Sequence, residues 1–232
     1  ASPPGTWGWD VDQSTAAYGR TGGALAISGG IVLAVINVVL PSEDEDVDHF
    51  VRVARSNSWP YLHLGLILGV FVTVAGLWLI ARALGPRSVW HDFTAMGLAS
   101  GGTLMVLGAA VAGVAVRKQA DEWLVAVPEH NVATFFSAMT ADHIAYAIFG
   151  VALLVLVGLV PILIAVLMLR TDRPLRALAA GGVVVGALGV VAGLVQLTAE
   201  LDTSLIATAG PAAVLLWIII TGAVMLRRAP AG

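Results

Sequence analysis

Side chains able to do chemistry are few in this 232-residue chain, and they gather at the ends of apolar runs. His63 opens one run, Asp142 and His143 open another, and Glu200 and Asp202 bracket a turn between two more. Gln196 stands one helical turn before Glu200. Two neutral imidazoles from different helices can ligate the iron of a b-type haem, which makes His63 and His143 candidate cofactor residues. Imidazole with carboxylate can hold zinc, copper or iron, so His63, His143, Asp142 and Glu200 form a candidate transition-metal set. A histidine at a helix end also serves as a solvated or capping group. With no cysteine in the chain, thiolate ligands, disulfides and cysteine nucleophiles are excluded. HExxH, GxSxG and Walker patterns are missing from the sequence, so no catalytic residue is assigned and an enzyme is the less favoured class. His49 and His130 lie on amphipathic segments and are expected to face water. Asp92, beside His91 at the start of a run, is accounted for by the helix dipole.

The elements that must position these residues are membrane spans. Hydrophobic residues make up 58% of the chain and charged residues 12%, and the mean hydropathy is +0.90. The low charge excludes an ordinary soluble domain, and a net charge of −3 without a basic stripe excludes nucleic acid as a partner. Crossing the hydrocarbon takes about 20 apolar residues as a helix. Six runs qualify, at 22–40, 61–84, 93–116, 144–169, 175–197 and 205–226. The chain therefore reads as all-α, one integral membrane domain of six transmembrane helices. The N-terminus lacks the basic start and cleavage site of a signal peptide, and the start at Ala1 is read as loss of an initiator Met.

The position of His63 and His143, on the second and fourth of six spans near one face, resembles the cytochrome b561 arrangement. That resemblance implies a haem between the two histidines. A second pair on the third and fifth spans is a feature of that family. Here the third run has only His91, at its start, and the fifth has none, so the resemblance implies one haem at most.

The charges are sorted between the two ends. One side holds both termini and the 82–92 and 170–176 loops, with eight basic and four acidic residues. The other side holds four basic and eleven acidic residues. The basic side is expected to face the cytoplasm of a cell membrane, with both termini. On the acidic side, 42–58 and 120–140 read as amphipathic segments. Ser42 and Glu45 form a capping box, and Val47, Phe50, Val51 and Ala54 form the apolar face of a surface helix. Trp123, Leu124 and Val127 precede a break at Pro128, and Val132, Phe135, Phe136 and Met139 resume the helical spacing. Trp7, Trp9, Trp59, Trp90 and Trp123 read as interface anchors, and Trp78 and Trp217 as packing residues.

Lipid supplies no hydrophobic drive for helix association, so small residues that permit close approach mark packing faces. Gly65 and Gly69, Gly97 and Gly101, Gly182 and Gly186, and Gly189 and Gly193 form such pairs, expected inside the bundle or at a contact between copies. Pro161 and Pro211 predict kinks. The span centres lack ionisable residues, which argues against ion or proton conduction. Three functions follow in order. The first is an accessory or structural subunit of a membrane complex, or a homo-oligomer. The second is a small haem or metal redox protein. The third is a carrier or binder of a hydrophobic ligand such as a lipid or quinone.

Overall fold

The computed structural model describes residues 7–40, 47–171, 173–198 and 204–228. Of the described residues 94% are helical, and none lies in a strand. The helices are α1 (Trp7–Val39), α2 (Val47–Arg55), α3 (Trp59–Ala83), α4 (Val89–Ala110), α5 (Arg117–Leu124), α6 (Pro128–Ala152), α7 (Val160–Thr171), α8 (Arg176–Thr198) and α9 (Ser204–Arg228). Among the described residues six helical stretches are long and apolar enough to cross a membrane. The Ser42–Glu45 capping box lies outside the described residues, as do Glu200 and Asp202.

Two spans run much further than hydropathy alone marks. A π segment, Val111–Val116, joins α4 to α5 without a break, and another, Leu153–Leu159, joins α6 to α7. The resulting helices are Val89–Leu124, 36 residues, and Pro128–Thr171, 44 residues. The segment expected as a separate surface layer at 120–140 is thus mostly an extension of two membrane helices. No Gly or Pro between 129 and 143 interrupts the second of them. Pro161 has no N–H, and its ring would collide with the carbonyl four residues back in a regular helix. The wider π turns just before it supply the room. Pro211 lies inside α9, which continues past it.

The spans form a closed ring in chain order. α1 packs between α3 and α9, α4 between α3 and the α6–α7 helix, and α8 between that helix and α9. Leu77, Ile80, Leu98, Ile164, Leu167, Met168 and Trp217 fill the interior. Glycines set the closest approaches. A Cβ on Gly193 would lie 2.6 Å from the Leu154 nitrogen, and one on Gly186 2.7 Å from the Gly158 oxygen. Gly182 meets Trp217 and Ala165, Gly97 meets Val160, and Gly101 meets Leu156. Gly65 and Gly69 meet Ile36 and Leu33 of α1. These faces are occupied by neighbouring helices of the same chain.

At the basic end, Gly85 takes φ +96° in the turn after α3, a region L side chains rarely adopt. Thr171 Oγ1 donates to the Leu84 carbonyl at 2.7 Å and ties that turn to α7.

Candidate functional site

At the acidic end α2 packs against α5 and against Trp59 at the start of α3. Phe50, Val53, Ala54, Trp59, Val116, Ala120 and Ala138 form a second core there, with Trp123, Phe135 and Met139 packed against it. The buried face of α2 is His49, Phe50, Val53 and Ala54, not the stripe of Val47, Phe50, Val51 and Ala54 that periodicity favours. Val47 is exposed. His49 takes the inward place because aromatic rings receive it: Phe50 stands 5.3 Å and Trp59 6.0 Å from its ring. His49 is therefore buried rather than facing water, whereas His130 is exposed.

Trp59 is also inside. Only 2% of it is exposed, and its indole N–H donates to the Ala112 carbonyl at 2.9 Å. It is a core residue of the cap, not an interface anchor, because α2 covers it. Tyr61, two residues on, is 75% exposed. Arg117 Nη1 donates to the Ser56 carbonyl, so the start of α3 is tied to the π segment and the loop before it to the first residue of α5. The α5–α6 hairpin is closed by the Trp123 indole donating to Asn131 Oδ1 at 3.0 Å.

His63 is buried. Its Nδ1–H donates to the Trp59 carbonyl at 2.9 Å, and the Trp59 ring stands 4.6 Å away. A Cβ on Gly113 would fall 2.6 Å from the His63 Cβ, so the π segment presses directly on this residue. His143 is exposed on α6, well inside a helix that starts at Pro128. Helix α4 and its π segment intervene between α3 and α6. A bis-histidine haem needs two imidazoles facing each other across a macrocycle, and this arrangement of His63 and His143 does not fit it. Asp142 is half-buried beside His143, and Gln196 packs on Gly150 of α6. Among the described residues no three His, Asp or Glu side chains are gathered in a way that would hold a metal ion.

No family model, no curated protein and no solved structure matches the chain. It is an integral membrane protein by its six apolar helices.

Two open grooves mark its flanks. One, about 450 Å³, lies between the π segment with α5 and α6, lined by Ala115, Gln119, Phe136, Ser137, Thr140 and Ile144. The other, about 410 Å³, lies between α4 and the α6–α7 helix, lined by Phe93, Met96, Gly97, Ser100, Leu159 and Leu163. Neither is lined by His63 or His143. At the basic end His91 Nδ1 accepts the Ser88 backbone N–H at 3.1 Å, which closes a cap on α4. Asp92 pairs with Arg87 at 2.9 Å.

Proposed function

We propose that the protein is an accessory subunit of a membrane complex and that it docks its partner through the α5–α6 hairpin. In this reading both termini lie in the cytoplasm of a cell membrane and the hairpin stands on the opposite side. The observation that carries the proposal is the length and surface of the helix Pro128–Thr171. At about 1.5 Å per residue its 44 residues rise about 66 Å, against a hydrocarbon thickness of about 30 Å. Its first half carries His130, Asn131, Thr134, Ser137, Thr140 and Asp142, a polarity suited to water. Yet Val125, Val127, Val132 and Phe136 on the same hairpin are each more than half exposed. Apolar groups grouped beyond the bilayer and rimmed by polar ones mark a protein contact.

Charge selects the kind of partner. The two basic residues of the hairpin are already paired along their own helix, Arg117 with Asp121 and Lys118 with Glu122. Glu129 is exposed beside the apolar patch. A second copy of the chain would bring Glu129 and its counterpart toward one another, which is repulsive. The complementary surface is apolar with a basic rim, and it belongs to a different subunit.

A photo-crosslinking residue at Val132 or Phe136, activated in native membranes, tests this. The expected result is one discrete adduct with a different polypeptide, lost when the other position is changed to Asp. Leu188, exposed on α8, is the lipid-facing control. Adducts with lipid alone, or with a second copy of this chain, would overturn the proposal.

A further inference from the structure

The groove between α4 and the α6–α7 helix has a cationic, aromatic mouth at one end. On α4 the lining residues Phe93, Met96, Gly97 and Ser100 follow i, i+3, i+4, i+7, one face of a helix. Trp90 continues that stripe one turn toward the basic end, and its ring lies 6.2 Å from Phe93. On the facing helix Val155, Leu159 and Leu163 form the matching stripe. Seven residues past Leu163, two helical turns further along the same face, stands Arg170. Its guanidinium lies 5.2 Å from the Trp90 ring centre. Guanidinium, indole, phenyl ring and apolar groove thus follow one another without interruption from the basic end inward.

We propose that this is a binding site for one anionic phospholipid, with the phosphate on Arg170 and an acyl chain in the groove. Three features point to that occupant. Val155 to Leu163 spans about 12 Å of helix, close to the half-thickness of the hydrocarbon, about 15 Å. Gly97 keeps the floor low: a Cβ there would lie 3.0 Å from Val160. Arg170 is exposed, and among the described residues no carboxylate pairs with it, whereas neighbouring Arg87 is held by Asp92. The cation–π contact with Trp90 holds the guanidinium at the groove mouth and leaves its donors for phosphate oxygens. The site is independent of the hairpin surface at the other end of the molecule.

The test is native mass spectrometry of the full chain released from vesicles of mixed phosphatidylglycerol and phosphatidylcholine with identical acyl chains. Wild type is expected to retain one phosphatidylglycerol in preference to phosphatidylcholine. Arg170→Gln should lower that preference about fivefold, the worth of one basic residue at an anionic surface. Ser100→Trp, from an exposed position on the groove, should reduce retention of both lipids. Helicity and melting temperature identify any variant that fails to fold, and Arg170→Lys then serves as a milder substitute that keeps charge but not the planar fork. Equal retention of the two lipids by wild type would overturn the proposal. A preference that survives Arg170→Gln would overturn it too, as would full retention in folded Ser100→Trp.

Discussion

Gly189→Ala replaces a hydrogen on the face of α8 with a methyl group, and the geometry leaves no place for it. The new Cβ would lie 2.4 Å from the Val157 oxygen, 2.6 Å from the Val157 carbonyl carbon and 2.9 Å from the Gly158 nitrogen. All three are backbone atoms of the Leu153–Leu159 π segment, so no rotamer change relieves the overlap. Ordinary contact begins at 3.4 Å, and α8 must therefore retreat by about 1 Å. A gap of that size forfeits about a quarter to a half of each dispersion contact it opens. Gly182, Gly186 and Gly193 lie along the same face and share the loss. Overpacking of this kind costs up to about 3 kcal/mol, offset by about 1 kcal/mol from the better helix propensity of Ala. The net loss is about 2 kcal/mol, roughly a thirtyfold change in the folded ratio and about 4–8 °C in melting temperature. Gly181→Ala is the internal control. Its Cβ would meet the Trp217 ring at 3.5 and 3.8 Å, ordinary contacts, so stability should hold or rise slightly. Thermal unfolding of both variants in one detergent measures the difference. If Gly189→Ala melts with the wild type, or Gly181→Ala falls as far, close backbone packing of α8 on the π segment is not what holds these helices together.

Further outcomes follow from the cap and the turns. Trp59→Phe keeps the aromatic bulk but removes the donor to the Ala112 carbonyl, at a cost of about 1–3 kcal/mol. Hydrogen exchange should rise across 111–117 and stay unchanged in α8, and a uniform rise would contradict the local role. Gly85→Ala forces an L side chain to φ +96° and should cost about 1–2 kcal/mol in thermal stability; an unchanged melting curve would refute that strain. The chain has no cysteine, so Val125→Cys and Arg87→Cys report orientation without background. An impermeant maleimide should label the first on intact cells and the second only after permeabilisation, and the reverse pattern would invert the proposed topology.

How much of this could be read in the residues depends on whether the signal is local. The six spans were legible because transfer to lipid sums over consecutive side chains. Their true ends were not, because α5 and the first half of α6 are more polar and their extension is held by packing against each other and against α2. The face of α2 was misplaced by about one residue. Val47 and Val51 fit the 3.6 period, but the groove that receives α2 is built by Trp59, Val116 and Phe135, far away in the chain. Burial of His49 and Trp59 depends on the same groove. The sequence carries one mark for a π segment, Pro161, and none for the segment at Val111–Val116.

The sequence by itself determined the solvent of this protein, the number of its spans and the sorting of charge between its ends. Each is a sum over neighbours in the chain. Only the tertiary structure decided which side chains meet. It buried His63 under Gly113 and left His143 exposed. It set the backbone of α8 against a π segment, and it placed Arg170 on Trp90 at the mouth of a groove. Those outcomes rest on contacts between helices tens of residues apart. Their register is fixed by glycines, π turns and ring packing, which a one-dimensional pattern does not encode.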